Sequence, residues 1–203
     1  ASIPEYWRWR WHVPIPKGTN STAMEDTRPL MLVQALRKLW TSIFIDRIQV
    51  YFDNNANLLS SSQHGYRYRR SCQTATVQLC NALETAKECR SRIYLSSWDL
   101  KKAFDSVPRP LLAYSLIRLG VPTSMAKYIV DMDQNMKTVV RTPYALQFLK
   151  QHGTMGLLDK EVYYEAKQGC GQGDVPSSCI WTAVADILLR ALETITHGSF
   201  YYQ

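Results

Sequence analysis

Cysteine, histidine and long apolar runs are scarce in this sequence, and each scarcity excludes a class of protein. The chain has five cysteines and four histidines, and the cysteines show no paired metal-binding spacing. An odd number of cysteines argues against a disulfide scaffold and favours an intracellular, reducing compartment, with nucleus and organelle left open. No uninterrupted apolar run is long enough to span a bilayer and no signal peptide is evident, so we expect no membrane partner.

The charge balance of the chain is basic. With 24 Lys and Arg against 17 Asp and Glu, the formal net charge is +7, which suits a polyanionic partner without identifying one.

A length of 203 residues predicts one large domain or a domain with a smaller lobe. The sequence begins at Ala1 without an initiator methionine, and we expect it to be a piece of a longer protein.

Residues 94–107 contain an acidic residue, Asp99, at the point where a short apolar run ends. Ile93 and Leu95 alternate with more polar neighbours, which predicts a strand, and the apolar positions after Pro108 predict a helix. A carboxylate at the end of a strand lies at the rim of a sheet, where it can supply an oxygen ligand to a hard cation. The alternative, a helix cap or an acidic turn residue, stays open at this point.

The stretch that starts at Asp99 reads Asp-Leu-Lys-Lys-Ala-Phe-Asp-Ser-Val. It resembles the first catalytic motif of reverse transcriptases and is most similar to that of non-LTR (LINE-type) retrotransposons. The resemblance implies that Asp99 binds the catalytic Mg²⁺ ions, helped by the backbone carbonyl of Leu100 and by two further aspartates of the family. It also implies that the backbone amides of Lys102 and Ala103 reach toward a triphosphate and that Phe104 blocks a ribose 2′-hydroxyl. The alternative for Phe104 is a core aromatic residue below the turn.

Aromatic and cationic residues alternate from position 7 to position 11, and an extended strand would place them on two faces. Arg8 and Arg10 would then contact phosphate or, alternatively, solvent. Prolines end this strand, and a polar loop leads to a returning segment, which predicts a hairpin. Lys17 and Arg28 in this hairpin are similar to residues of the fingers hairpin of reverse transcriptases, which implies that they grip the incoming triphosphate. Thr27 is expected to cap an amphipathic helix that runs to about residue 51.

Residues 63–71, Gln-His-Gly-Tyr-Arg-Tyr-Arg-Arg-Ser, form a basic, aromatic run before a helix. The run resembles a family segment that reads Gln, any residue, Gly, an aromatic residue and Arg. Arginines with interleaved tyrosines can follow a template backbone, which makes Arg67, Arg69 and Arg70 candidate nucleic-acid contacts. A solvated basic loop is the alternative.

Three glycines, Gly169, Gly171 and Gly173, fall within five residues and directly precede a helix predicted over residues 180–195. Glycines let the backbone approach a ligand closely. The segment is similar to the family's Gly-x-x-Gln-Gly motif, which implies that Gln172 and Gly173 lie against the nucleotide and the template. Gly171 stands where the family more often has Pro, and a plain turn before a helix is the alternative.

Together these matches imply an α/β (α+β) fold, the fingers and first part of the palm of a right-hand polymerase. We expect an antiparallel sheet backed by helices and truncated before the second catalytic strand. Residues 1–95 are expected to form a fingers-like region with an N-terminal hairpin and helices. Residues 96–203 are expected to form a partial palm with inserted strands within 138–167.

The resemblance implies an RNA-directed DNA polymerase that uses Mg²⁺, an RNA template, a DNA primer and dNTPs. Other protein subunits, or the remainder of the polymerase, are further expected partners. The family's paired-aspartate motif does not occur in the sequence, so this chain alone is not expected to polymerise. The alternative function is a catalytically inactive, reverse-transcriptase-derived module that binds nucleic acid or serves as a structural subunit, and an RNA-directed RNA polymerase is a weaker alternative.

Overall fold

A four-stranded mixed sheet and a set of helices make up the fold. The computed structural model describes residues 3–18, 26–55, 57–141 and 163–195. After a 3-10 helix, Glu5–Arg8, strand β1 (Trp9–Pro16) pairs antiparallel with β2 (Thr27–Val33) and parallel with β3 (Lys137–Val140). Strand β4 (Tyr163–Glu165) pairs antiparallel with β3, which gives the order β2-β1-β3-β4. The α/β class is confirmed, and the expected antiparallel sheet contains one parallel pair.

The predicted hairpin is formed by β1 and β2, and its prolines lie where the sheet tolerates them. Pro14 pairs with Pro29, whereas β3 pairs with β1 only as far as His12. The prolines of β1 therefore withdraw no N–H from the parallel ladder. Thr27 pairs with Pro16 in the hairpin, so the prediction that Thr27 caps a helix is wrong.

Six helices follow or interrupt the strands in the described part of the chain, and local signals explain several of their ends. Ser71 and Thr74 form a reciprocal capping box at the start of one helix, and Gly120, with a φ of +88°, follows the end of another. The helices are α1 (Ala35–Asn54), α2 (Cys72–Glu88), α3 (Ala103–Ser106), α4 (Arg109–Arg118), α5 (Thr123–Asp131) and α6 (Val175–Ile195).

The core lies where α1, α4, α5 and α6 meet. Its most buried members are apolar and come from three of these helices, as expected for an apolar stripe on each helix facing the centre. They include Leu116, Ala126, Ile129, Ile180 and Ala183.

Helix α6 is long and apolar enough to cross a membrane by length and composition alone, with a mean hydropathy of 1.3. More than half of the apolar window is buried inside the fold, and α6 packs against α1 and α4. Asp186 on this helix is fully buried and forms an ion pair with Arg118. We therefore assign α6 to the core. Asp186 and Arg190 interrupt its apolar residues, so it is not the uninterrupted apolar run that the sequence analysis excludes.

Residues 91–100 form no regular secondary structure, so the predicted strand before Asp99 is wrong. The segment is exposed throughout, with Tyr94 at 88% and Trp98 at 80% of full exposure. An alternating pattern becomes a strand only when a neighbouring strand takes up its backbone hydrogen bonds. No strand in the described residues pairs with this segment.

The sheet joins strands from both sides of the predicted boundary between residues 95 and 96. Strands β3 and β4 lie at the two ends of the range 138–167 in which inserted strands are expected, and residues 142–162 lie outside the described residues. The division into a fingers-like region and a partial palm stays a prediction.

Candidate functional site

The glycine-rich loop, residues 169–174, contacts the helix that follows Asp99 through backbone atoms. The amide of Gly169 donates to the carbonyl of Val107 at 2.8 Å, and the amide of Cys170 donates to the carbonyl of Phe104 at 2.9 Å. A Cβ on Gly169 would lie 2.7 Å from the carbonyl oxygen of Phe104, and its φ is +80°. Only glycine fits this approach without a shift of the backbone. The structure thus brings together two motifs that lie far apart in the sequence.

The other side of the glycine-rich loop covers the outer edge of β2. The amide of Met31 donates to the carbonyl of Gln172 at 2.9 Å, which satisfies a donor on an edge strand. A Cβ on Gly173 would lie 2.5 Å from Leu30 Cδ1, and its φ is +91°. The loop is therefore held between the hairpin and α3.

A buried ion network ties the glycine-rich loop to helix α1. Arg37 is 1% exposed, and its Nη2 lies 2.7 Å from Asp133 Oδ1 and 2.8 Å from Asp174 Oδ2. Burial, and then the neighbouring Asp133, raise the pKa of Asp174, whereas Arg37 opposes them. Arg10 Nη1 lies 3.9 Å from Asp133 Oδ1. Charges alternate along this network, as low-dielectric surroundings demand.

A cavity of about 340 Å³ lies between the sheet, α3 and the glycine-rich loop, and titratable side chains line it. The hydroxyl of Tyr164 and Nδ1 of His12 lie 2.9 Å apart in a hydrogen bond whose donor depends on the His12 tautomer. Burial, and secondarily Arg10, lowers the pKa of His12. Burial raises the pKa of Asp105, against the opposing charges of Lys102, His12 and Arg10.

Phe104 packs against aromatic neighbours rather than projecting freely from α3. Its ring centroid lies 5.4 Å from that of Trp181 and 6.4 Å from that of Tyr66, and the side chain borders the core. This placement favours the core alternative, and contact with a sugar stays a prediction. Lys102 has a φ of +53°, and its carbonyl accepts from the amides of Asp105 and Ser106. The amides of Lys102 and Ala103 have no hydrogen-bond acceptor among the described residues.

Asp99 and Leu100 lie in the exposed segment 91–100, so neither is held at a sheet rim. Two Mg²⁺ ions need several oxygen ligands, and carboxylates from different segments must converge to supply them. No group of three His, Cys, Asp or Glu side chains able to hold a metal occurs within the described ranges. These residues do not make a complete metal site, and we derive no reaction step through one.

Lys17 and Arg28 are brought together on one face of the hairpin, where both are exposed. Arg28 pairs with Ile15, and the amide of Lys17 donates to the carbonyl of Asp26 at 2.9 Å, which continues the ladder by one pair. Diagonal neighbours on one face of an antiparallel pair lie about 7–8 Å apart, within reach of one polyphosphate. Alternation along β1 and β2 puts this pair on the face opposite to the residues that line the cavity.

The two N-terminal arginines do not share a solvent-facing strand face. Arg8 lies in the 3-10 helix, and its Nη1 donates to the carbonyl of Gln134 at 2.7 Å. Arg10 is 5% exposed, and its Nε donates to Thr138 Oγ1 at 2.8 Å. Strand β3 pairs beside Arg10 and closes that side of β1, which argues against a contact with phosphate, and the contact stays a prediction.

The three arginines of the basic loop have different surroundings. Arg67 Nη1 donates to the carbonyl of Ser60 at 2.9 Å, and burial lowers its pKa. Arg70 donates to the carbonyls of Ser61 and Gln63, so two of the three hold their own loop in place. Arg69 is exposed, with its guanidinium 5.1 Å from the centre of the Tyr68 ring. Arg69 is the member best placed for an external phosphate.

Sequence reasoning missed Arg37 and Asp133, which the structure buries beside the glycine-rich loop. The buried positions of α1 are 37, 41, 45, 48 and 52, all at helical spacing. A cation on an otherwise buried stripe predicts a buried anion, because an isolated charge there is too costly. That signal was available for Arg37, whereas nothing in the local sequence points to its two partners.

Comparisons with known proteins agree with the motifs. The family model described as "Reverse transcriptase (RNA-dependent DNA polymerase)" matches residues 15–202. The chain is similar to a "Retrovirus-related Pol polyprotein from type-1 retrotransposable element R2" of Popillia japonica, 24% identical over 192 residues. A protein of the same description from Nasonia vitripennis is 26% identical over 184 residues. The matches cover 95% and 91% of this chain but only 24% and 16% of the two relatives.

Proposed function

The chain belongs to the reverse transcriptase (RNA-dependent DNA polymerase) family, and we propose that it contributes the nucleotide-facing part of an RNA-directed DNA polymerase. The observation that carries the proposal is the contact between the glycine-rich loop and α3. Two motifs with family resemblance, 66 residues apart, meet there through backbone hydrogen bonds. The match of the family model over nearly the whole chain supports the same conclusion.

In the proposed reaction an RNA template and a DNA primer bind together with a dNTP. The primer 3′-hydroxyl attacks the α-phosphorus, a new phosphodiester bond forms, and the bond to the pyrophosphate leaving group breaks. Lys17 and Arg28 hold the triphosphate from the hairpin, since fixed cationic donors suit its charge. The amides of Lys102 and Ala103, which have no acceptor among the described residues, are further candidate phosphate donors at the start of α3.

Recognition of the base, the sugar and the backbone is assigned to the remaining residues. The half-buried Gln172 and the exposed Gly173 of the glycine-rich loop face the nucleotide and the template. Phe104 borders the sugar from beside Trp181. Arg8 and Arg69 contact nucleic-acid phosphates, and such contacts make affinity fall with salt.

The metal requirement is proposed from the family alone. Asp99 and the carbonyl of Leu100 are the positions that would hold Mg²⁺, which supplies charge stabilisation at the phosphates when bound. All five cysteines are free thiols, which supports our further proposal of an intracellular, reducing compartment.

A catalytically inactive, nucleic-acid-binding module is the second candidate, because Asp99 stands exposed without a cluster of acidic partners in the described ranges. Primer extension by the complete natural polypeptide that contains this chain, called the complete polypeptide below, separates the two. RNA-primed and DNA-primed RNA templates are incubated with Mg²⁺ and either dNTPs or rNTPs. Extension of a DNA primer with dNTPs supports the polymerase. Binding of primer-template without extension supports the inactive module, and extension with rNTPs alone points to an RNA polymerase.

A further inference from the structure

Four side chains of alternating charge form a continuous buried chain, Arg10–Asp133–Arg37–Asp174, called the buried charge chain below. Its links are 3.9, 2.7 and 2.8 Å long, and each member is at most 6% exposed. The two cations and two anions neutralise one another. The buried charge chain begins on β1 and ends in the glycine-rich loop.

Arg37 is the central member of the buried charge chain and bonds to three other segments. Besides the two carboxylates, its Nη1 donates to the carbonyl of Trp7 at 3.1 Å and to Met136 Sδ at 2.9 Å. Asp174 in turn accepts the amide of Val175 at 2.8 Å, at the start of α6. One guanidinium therefore joins α1, the segment before β1, the turn after α5 and the glycine-rich loop.

Stability alone gives little reason for such a network. Replacing a buried ion pair by neutral groups of similar volume is often neutral or stabilising, whereas deleting one partner is costly. A planar guanidinium does fix the angle and distance between the groups that it bridges. The glycine-rich loop and α1, which follows directly from β2 and its Arg28, are the elements fixed here.

We propose that Arg37 is a positioning residue that sets the glycine-rich loop relative to the hairpin, and thereby the fit of the nucleotide between Gln172 and Arg28. The inference rests on the proposed function and extends it to a residue that contacts neither the nucleotide nor the primer-template. Arg37 acts through Asp174 and the loop backbone. Loss of the buried charge chain should weaken nucleotide binding more than it slows turnover.

The test removes one cation and one anion of the buried charge chain and leaves Arg10 beside Asp133, so that no lone charge stays buried. Arg37→Met with Asp174→Asn, called the double variant below, keeps the volumes similar, and Asn at 174 still caps a helix. The matched control is Arg118→Met with Asp186→Asn, which removes another ion pair, between the exposed Arg118 of α4 and the buried Asp186 of α6. Both variants are made in the complete polypeptide and compared at temperatures where both are folded.

The double variant should raise KM for dNTP by about 10- to 100-fold with a smaller change in kcat, since small misplacements in a site have effects of this order. Hydrogen exchange should also become faster in residues 169–174. The control should leave KM and the exchange of these residues unchanged. An unchanged KM in the double variant, or an equal rise in the control, overturns the inference.

Hydrogen exchange separates this inference from the proposed function. If the wild-type polypeptide incorporates no nucleotide, the proposed function fails, and the exchange measurement still decides the role of Arg37. Faster hydrogen exchange in residues 169–174 that is confined to the double variant supports positioning of the loop. Exchange that is unchanged, or equally fast in the control, contradicts it.

Discussion

The carbonyl of Phe104 accepts a 2.9 Å hydrogen bond from the amide of Cys170, and this bond fixes the glycine-rich loop against α3. The adjacent Gly169 amide bonds to Val107, so the contact is a short backbone ladder. These backbone hydrogen bonds require that position 169 carry no side chain, and they do not depend on the type of any neighbouring side chain. The site is therefore more sensitive to added atoms at the glycines than to exchanges among its polar side chains.

Gly169→Ala should abolish or strongly reduce nucleotide incorporation. A Cβ there would lie 2.7 Å from backbone atoms of Phe104 and Asp105, and the φ of +80° adds about 1–3 kcal/mol of strain. Gly120→Ala is the matched control, because its φ is +88° but the nearest atoms to its Cβ would all belong to the side chain of Tyr51 and none to the backbone. Primer extension compares the two variants in the complete polypeptide. Equal activities would show that the close approach at Gly169 is unimportant for the reaction.

Phe104→Val should lower stability by about 1–4 kcal/mol, because the contact with Trp181 is lost. If Phe104 also borders the sugar, the variant should incorporate ribonucleotides more readily. Trp181→Leu removes the other ring of the same contact and should leave sugar preference unchanged. The measurements are denaturant unfolding and the ratio of ribo- to deoxyribonucleotide incorporation. A stability loss with the wild-type ratio would leave Phe104 as a core residue only.

The positions of prolines and glycines in the sequence are enough to predict the hairpin and the glycine-rich loop. Prolines and glycines restrict the backbone at their own positions, so their effect does not depend on distant partners. Thr27 shows the limit of local signals. Thr27 suits a helix cap, but it lies in a strand, where it pairs with Pro16.

Predictions failed where a distant segment decides the outcome. Ile93 and Leu95 alternate with polar residues, yet no strand lies beside them in the described residues, and both are exposed. Arg10 was expected on a solvent face, but Thr138, 128 residues away, bonds to it and buries it. The partners of Arg37 lie 96 and 137 residues away, beyond the reach of any local pattern.

The basic loop should divide into one arginine that binds nucleic acid and two that stabilise the loop. Arg69→Ala should weaken primer-template binding and reduce the slope of log K against log salt by about 0.9 if one duplex phosphate contact is lost. Arg67→Ala should instead cost about 1–3 kcal/mol of stability, because the Ser60 carbonyl loses a charged donor. Fluorescence anisotropy at several salt concentrations and denaturant unfolding measure the two effects. A salt slope unaltered by Arg69→Ala would remove Arg69 from the binding surface.

His12 should make stability depend on pH in the mildly acidic range. Its pKa is lowered in the folded state from the ordinary 6.5, first by burial and then by Arg10. Between the folded and unfolded pKa values the unfolded chain binds more protons, so stability is present above about pH 6.5 and is lost as the pH falls. The stability difference between wild type and His12→Gln should therefore shrink or reverse below that pH. A stability difference between wild type and His12→Gln that stays constant from pH 7.5 to pH 5.5 would contradict this assignment.

The central claim is that this chain carries residues of an RNA-directed DNA polymerase site, and Asp99 tests it most directly. Asp99→Asn keeps the size of an exposed side chain and removes only its charge, so the fold should be unaffected. Asp131→Asn, at the exposed end of α5, is the matched control. Extension of a DNA primer on an RNA template is measured for both variants in the complete polypeptide. The account predicts that Asp99→Asn reduces incorporation to background while Asp131→Asn retains the wild-type rate, and retained incorporation by Asp99→Asn would contradict it.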